Sequence, residues 1–193
     1  MGAEDTRSLR DARADYFRDN RIAPDGGYSD RWVKLSVGPL PFAFPNTSAR
    51  RRAVPFHDLN HVVTGYPTTL LGEAEIGAWE IASGCLHVPI GLYLDLLVMG
   101  FVLMRHPRAI YRAFLRGRHS RNLYGCMDDP ELLGRSVAEQ RRALGLDAPL
   151  APPTPADQLA FALWAGVAVA IVWGPIPLIA LILLSSGLLE VAR

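Results

Sequence analysis

The apolar residues of this chain recur mostly at helical spacing. Helices are predicted over residues 5–20, 86–104 and 131–144, and a pair of helices over about 55–84. Between the first helix and this pair, residues 21–54 are rich in Gly, Pro and aromatic residues, which indicates mostly loop with short elements. The pattern therefore predicts an all-α fold, a helical bundle.

The segment over residues 86–104 is strongly apolar, but His87, Pro89 and Asp95 interrupt it. A membrane-spanning helix needs about 20 mostly apolar residues, and these interruptions make the segment too polar for one. We expect instead a buried helix that lines a hydrophobic cavity in the bundle.

The C-terminal part of the chain has a different pattern, because no charged residue occurs between Gln158 and Leu189. A straight helix of that length would measure about 48 Å, against a bilayer core of about 30 Å. The run Gly174-Pro175-Ile176-Pro177 divides it near the middle, which predicts a hydrophobic helical hairpin. The absence of polar periodicity favours insertion in a membrane over burial in a soluble protein.

These patterns divide the chain into three segments. They are a helical domain over residues 1–148, a Pro-rich linker over 149–157 and the membrane-inserting hairpin over 158–193. Arg141 and Arg142 precede the hairpin, and the excess of basic residues on the cytoplasmic side of membranes favours placing both of its ends there. We therefore expect a membrane-associated protein on the cytoplasmic face.

A basic stripe follows the apolar segment, since Arg105, Arg108, Arg112 and Arg116 share one helix face with no acid among them. The stripe suits an anionic membrane surface, and a solvated basic face remains the alternative. Nucleic acid is not expected as a partner, because the formal net charge is only +1 and aromatic residues are sparse in the stripe.

The residues that indicate chemistry lie in the run His57-Asp58-Leu59-Asn60-His61. On a helix, His57, Asp58 and His61 fan over an arc of about 100° and point toward one place. The run Gly65-Tyr66-Pro67-Thr68-Thr69 then ends the helix, and Thr68 or Thr69 can cap a new helix that carries Glu73. Two antiparallel helices would bring Glu73 back to the histidines, giving two nitrogen and two oxygen ligands for Zn²⁺, Fe²⁺ or Mn²⁺.

A chance pair of surface histidines is the alternative, and spacing alone does not distinguish Glu73 from its neighbours Glu75 and Glu80. Glu80 shares one narrow helix stripe with Glu73, and glycines on that stripe leave room for another backbone or a ligand. We predict Glu80 as a catalytic residue that carries protons or supports a ligand, with a rim carboxylate as the alternative.

Two familiar kinds of metal enzyme do not fit this pattern. The metalloprotease motif H-E-x-x-H needs Glu as general base, where this chain has Asp58. A phosphohydrolase of the His-Asp type needs a further histidine upstream, and no histidine precedes His57. The sequence also has no Gly-rich phosphate loop after a strand, so nothing indicates a flavin or nicotinamide site.

The full run resembles the ubiquinone (coenzyme Q) biosynthesis protein four family, whose hallmark is H-D-x-x-H, eleven residues, then E. Residues 62–72 supply those eleven positions, and Gly65, Pro67-Thr68 and Gly72 within them also fit the family pattern. The resemblance covers about residues 8–150, extending weakly upstream to Tyr16-Phe17-Arg18-Asp19-Asn20 and downstream to the run that ends at Leu146. Residues 151–193 depart from the pattern, which puts the substrate and partners of this branch in question.

The resemblance implies an all-helical, membrane-associated protein that binds a divalent metal, with zinc the first choice and iron or manganese the alternatives. Its metal ligands would be His57, Asp58, His61 and Glu73. The implied substrate is a polyprenylated quinone precursor, and the implied step is oxidative removal of the ring carboxyl group at C1. The family also organises a biosynthetic complex, so other quinone-biosynthesis enzymes and membrane lipids are the implied partners, and homo-oligomerisation is left open.

Two functions are compatible with these residues. The first is an enzyme, a metal-dependent oxidative decarboxylase or hydroxylase of a prenylated hydroxybenzoate. The second is a non-catalytic scaffold in which the metal and a cavity hold a prenyl lipid for other enzymes. Both use the same side chains, so turnover by the purified protein is the observation that discriminates between them.

Overall fold

The computed structural model describes residues 5–37, 40–177 and 182. Its fold is predominantly α-helical, which confirms the predicted class. The helices are α1 (Leu9–Asp19), α2 (Ser48–Thr64), α3 (Leu70–Ser83), α4 (Pro89–Val102), α5 (Pro107–Arg118), α6 (Val137–Leu144) and α7 (Pro155–Trp173). Short 3-10 turns at Leu123–Cys126 and Leu132–Gly134 connect α5 to α6.

A β-hairpin occupies part of the segment for which mostly loop is predicted. Strands β1 (Trp32–Val37) and β2 (Leu40–Pro45) pair antiparallel, from Trp32 opposite Pro45 to Val37 opposite Leu40. Pro45 is tolerated because both strands of a two-stranded sheet are edge strands, which need not use every backbone N–H. Helix α2 also begins earlier than expected, at Ser48, because Thr47 caps it and the helix continues through Pro55.

The connection between α2 and α3 follows the predicted design. Gly65 ends α2 with a φ of +78°, a left-handed conformation that glycine adopts at little cost, and its N–H donates to the carbonyl of His61. Thr69 caps α3 by accepting from the N–H of Gly72. The two helices therefore turn back on each other within a few residues.

Gly72, beside Glu73, has no room for a side chain, because a Cβ there would overlap the carbonyl oxygen of Pro67. Alanine in a helix normally stabilises it relative to glycine, by about 0.5–1 kcal/mol. Here we expect Gly72→Ala to reduce the free energy of unfolding by about 1–3 kcal/mol, as overpacking typically does. Thermal or denaturant unfolding measures this, with Gly134→Ala as control, since a Cβ at Gly134 meets nothing within 4 Å. Equal stability of the two variants would contradict the proposed close approach.

The core consists of α3 packed between neighbouring helices. Helices α4 and α5 pack on α3, and the close approach of α4 uses Gly77, where a Cβ would lie 3.1 Å from the Cα of Asp95. Trp79, fully buried on α3, belongs to a second cluster that α1, α2 and α6 complete. The α2–α3 pair therefore lies at the centre of the bundle and is held from several sides.

Helix α7 packs on the bundle along α5 and α4. Phe161 makes edge-on contacts with the rings of Tyr111 and Phe114, and the backbone of Gly100 lies directly against Ala168. Near the end of α7, the indole N–H of Trp173 donates to the carbonyl of Gly100 at 3.0 Å. This first arm of the predicted hairpin therefore contributes to the same core as α3, α4 and α5.

The opposite face of α7 is apolar and exposed, with Leu159 and Leu163 keeping 61% and 63% of their surface accessible. The helical stretch Pro155–Pro177 is long and apolar enough to cross a membrane. Such a single helix is weak evidence for membrane association. The second arm of the predicted hairpin lies outside the described residues, apart from Ile182.

Candidate metal centre

Three predicted ligands converge on one point between α2 and α3. The Nε2 atoms of His57 and His61 are 3.2 Å apart. Glu73 Oε2 lies 3.3 Å from His57 Nε2, and Glu73 Oε1 lies 3.4 Å from His61 Nε2. Ligand atoms about 2.0–2.1 Å from a tetrahedral ion are roughly 3.3 Å from one another. The two nitrogens and the carboxylate oxygens are therefore spaced as ligands of one small cation would be, and this side-chain set fits a metal.

The other ring nitrogens of the two histidines are already engaged. His61 Nδ1 lies 2.8 Å from the carbonyl oxygen of Tyr66, which can only accept, so Nδ1 carries the proton. His57 Nδ1 lies 3.1 and 3.2 Å from the two carboxylate oxygens of Glu80. In the neutral rings both Nε2 lone pairs therefore face Glu73, and outer partners fix ligating histidines in this way in metal sites.

Glu80 lies on the far side of His57 from the three ligand atoms, and its side chain is fully buried. A buried carboxylate needs hydrogen-bond donors, and Glu80 accepts from Asn60 Nδ2 at 2.7 Å and from the hydroxyl of Tyr124 at 2.9 Å. The oxygen of Asn60 in turn accepts from the N–H of Leu123 at 3.0 Å. Glu80 thus contacts a predicted ligand rather than the metal position, and its catalytic role stays a prediction.

A second set of possible ligands consists of His57, Glu80 and Asp95, whose ligand atoms lie within 4.8 Å of one another. Burial and the nearby charge of Glu80 raise the pKa of Asp95 well above its usual value. This shift favours the protonated form of Asp95, which is a poor ligand for a cation. Since Asn60 and Tyr124 also occupy the oxygens of Glu80, the set formed with His61 and Glu73 fits a metal better.

Asp58, the fourth predicted ligand, does not join the three that converge. Its Oδ2 accepts a hydrogen bond from the hydroxyl of Tyr28 at 2.5 Å. Burial raises the pKa of Asp58, although the neighbouring histidines and Tyr28 oppose that shift. Ligation by Asp58 stays a prediction.

Sequence reasoning missed several residues around the site, of which Asn60, Tyr124 and Asp95 lie around Glu80. Asp95 carried a signal, as a lone acid within an apolar helix. Tyr16 also carried one, because it begins the upstream run that resembles the family, and its ring stacks on His61 at 5.6 Å between centroids. Tyr124 had no local signal, since only the fold brings it to Glu80.

The charges at the site shift the pKa values of Glu73 and His57. Burial raises the pKa of Glu73, but its contacts with the imidazoles of His57 and His61 outweigh that effect and hold the pKa well below its usual value. Burial lowers the pKa of His57, but the carboxylates of Glu80 and Glu73 outweigh it and raise that pKa well above 6.5. Without metal at neutral pH, His57 is therefore protonated and Glu73 ionised.

A metal must displace the proton of His57, so we expect metal binding to release about one proton at neutral pH. Because the pKa of His57 is raised, the apparent affinity should increase about tenfold per pH unit until the pH exceeds that pKa. Calorimetric titration with Zn²⁺ in buffers of different ionisation enthalpy measures the release. Glu80→Gln removes one of the charges that raise the pKa of His57. This variant should therefore release fewer protons when it binds Zn²⁺ at neutral pH. Binding with no proton release at neutral pH would contradict the electrostatic description.

No family model, curated protein or solved structure matches this chain.

Proposed function

We propose that this chain is a metal-binding protein of ubiquinone biosynthesis that acts at the membrane on the head group of a polyprenylated quinone precursor. The convergence of His57, His61 and Glu73, whose spacing is that of the H-D-x-x-H-x11-E motif, carries this proposal. The proposed step is the oxidative removal of the ring carboxyl group at C1.

Two histidines and one carboxylate from the protein leave further positions open on a bound cation. Structural zinc sites are usually closed by four ligands rich in cysteine, whereas catalytic sites keep a position for water or substrate. Zinc is the first choice and manganese an alternative, while two histidines with one carboxylate are also typical of oxygen-activating iron sites. When bound, such a cation supplies Lewis-acid stabilisation of charge on a carboxylate or phenolate oxygen of the head group.

The proposed reaction replaces a carboxyl group by a hydroxyl group. The aromatic carboxylic acid, dioxygen, two electrons and two protons give the phenol, carbon dioxide and water. Because the sequence offers no nicotinamide or flavin motif, the proposal includes an external two-electron reductant as co-reactant.

The protein's own residues have separate roles in this proposal. Glu80 orients His57 through Nδ1 and keeps Nε2 directed at the open site, which makes Glu80 a positioning residue. Asn60 and Tyr124 stabilise the charge on Glu80 by donating to its oxygens. The ring of Tyr16 covers one face of His61 and limits access of water from that side.

Membrane attachment through α7 supports a polyprenylated substrate, whose tail partitions into lipid. The exposed apolar side chains of α7 include Leu159 and Leu163, and α4 adds Tyr93 and Phe101, each about half exposed. Arg105, which follows α4, is exposed and suits the anionic lipids of a cytoplasmic leaflet. We propose that these exposed side chains of α7 and α4, with Arg105, lie against the cytoplasmic side of the membrane.

The test compares Glu73→Gln with Glu75→Gln, a matched change two residues away on the same helix. Glu75 lies near Arg112 and His106 instead of His57 and His61. Glu73→Gln should abolish both the turnover of a prenylated hydroxybenzoate and the complementation of a quinone-deficient strain, while its thermal unfolding stays close to that of Glu75→Gln. If Glu73→Gln unfolds the protein to the degree that it removes function, the metal is structural and the scaffold function is favoured.

A further inference from the structure

We propose that a cleft beside α5 is a second binding site, which takes the phosphate group of a soluble organic phosphate through Arg112 and Arg116. The cleft lies between α5 and the segment that follows α6, around Leu146 and Pro149. None of the candidate metal ligands lines it, so each of the two sites can be tested without the other.

The cleft has the size and the mixed lining of a small-molecule site. Its volume is about 450 Å³, and ligand pockets commonly measure about 300–1,000 Å³. Arg112 and Arg116 supply two permanent positive charges, while Tyr66, Leu146 and Pro149 supply apolar surface. Inorganic phosphate would fill only a part of this space, so the ligand should carry an organic group beside its anion.

Both guanidinium groups keep donors for a ligand. Arg112 is exposed, and within the part of the chain that the structure describes it makes no hydrogen bond or ion pair. Arg116 donates to the carbonyl of Thr64 at 3.1 Å, and its guanidinium lies 5.4 Å from the centre of the Tyr66 ring. Because an arginine has five N–H donors, Arg116 is held in place with further donors left for a ligand.

Two arginines on one helix face favour phosphate over carboxylate as the anion. Residues four apart on a helix are neighbours, with about 5–6 Å between their Cβ atoms, so both guanidinium groups can reach one anion. A guanidinium fork engages two oxygens at once, and a phosphate monoester has three terminal oxygens where a carboxylate has two. A phosphate can therefore accept from both arginines, whereas a carboxylate satisfies only one fork.

One carboxylate, that of Glu75 on α3, also lines the cleft and lies near Arg112. Burial raises the pKa of Glu75, although the charges of Arg112 and His106 oppose that shift. With two guanidinium groups against one carboxylate, the lining keeps a net positive charge. A dianionic phosphate is therefore attracted to the cleft and competes with Glu75 for Arg112.

The position of the cleft favours a soluble ligand over a lipid head group. On α5, Arg112 and Arg116 each lie two residues from Phe114, which places both about 160° around the helix from it. Phe114 contacts Phe161 of α7, the helix that we propose meets the membrane. The two arginines are therefore on the side of α5 that is turned away from α7.

Calorimetric titration of the full-length protein with phenyl phosphate tests this proposal, with inorganic phosphate and benzoate as comparison ligands. Phenyl phosphate should bind saturably and more tightly than either, because inorganic phosphate lacks the organic group and benzoate lacks the third oxygen. Arg112→Gln should weaken the binding of phenyl phosphate by at least about tenfold, as the loss of a charge-assisted hydrogen bond implies. Its fold should be unaffected, since the Arg112 side chain is exposed.

Arg108→Gln is the matched control, because Arg108 is exposed one turn earlier on the same basic stripe and does not line the cleft. It should bind phenyl phosphate almost as the parent protein does. Binding should also persist after a chelator has removed any metal, which separates the cleft from the metal centre.

The proposal is wrong if phenyl phosphate shows no saturable binding, or if Arg112→Gln binds it no more weakly than Arg108→Gln does. Equally tight binding of benzoate would exclude a phosphate site. In flotation with vesicles that contain phosphatidic acid, the two variants should partition alike. A loss confined to Arg112→Gln would overturn the soluble source and assign the phosphate to a lipid head group.

Discussion

His61→Ala is expected to lose most of the bound metal. The His61 side chain is almost fully buried, and its Nε2 lies within 3.4 Å of both other ligand atoms, so alanine removes one of three donors. Losing an outer partner alone costs about 10–100-fold in affinity, and losing a direct ligand should cost at least about 100-fold. Elemental analysis of the purified variant, together with chelator competition, measures the loss.

His119→Ala is the matched control for this change. His119 is exposed at the end of α5, and its Nε2 lies 3.7 Å from Asp157 rather than near the metal position. Its metal content should equal that of the parent protein. Equal metal content in both variants would end the assignment of the centre, and circular dichroism should first establish that His61→Ala keeps its helices.

Leu163→Asp is expected to detach the protein from lipid vesicles or to weaken its partitioning strongly. Leu163 is 63% exposed on the outward face of α7. An aspartate within a membrane helix costs about 2.5–3.5 kcal/mol on insertion scales, and the leucine contribution is lost as well. Since 1.4 kcal/mol corresponds to a factor of ten, partitioning into vesicles that contain anionic lipid should fall by about 100-fold or more.

Leu150→Asp provides the comparison, because Leu150 is also exposed, at 48%, but lies in the Pro-rich linker before α7. It should partition almost as the parent does. Vesicle flotation of the full-length proteins measures both variants. If they behave alike, the outward face of α7 does not contact lipid, and attachment must be sought at the basic helix α5 or at the apolar α4.

Local sequence determined the part of the site that could be predicted. The spacing of His57 and His61 fixes their common helix face, and the Gly-Tyr-Pro-Thr-Thr run ends one helix and caps the next. These effects act within a few residues, so they can be predicted without the fold. They bring the start of α3 back to the histidines, while only the motif of the resembled family distinguished Glu73 from Glu75 and Glu80.

The rest of the site depends on contacts between distant segments. Tyr124 lies 44 residues from Glu80 along the chain, and Tyr28 lies 30 residues from Asp58. No spacing rule connects such positions, since their approach results from the packing of whole helices and loops. The sequence therefore predicted the histidines and Glu73, but not the residues that hold Glu80 and Asp58.

The packing of α7 on the bundle could not be predicted from the sequence pattern either. A helix that is apolar all round has no polar stripe, so its pattern does not reveal which side meets a protein core and which meets lipid. The contact surface depends on Gly100, whose missing side chain lets the backbone of α7 approach closely at Ala168. That glycine lies within an apolar helix, where nothing in the local pattern distinguished it.

The close approach at Gly100 has a consequence for biosynthesis, because chains are made from the N-terminus and tend to fold in that order. The candidate ligands on α2 and α3, and Tyr124 with them, leave the ribosome before Pro155, so the candidate metal centre can assemble while α7 is still being synthesised. During that interval Phe114 and the backbone of Gly100 lack their cover. The nascent chain therefore exposes an apolar groove that α7 fills last, and delayed synthesis of α7 should increase aggregation or binding of chaperones.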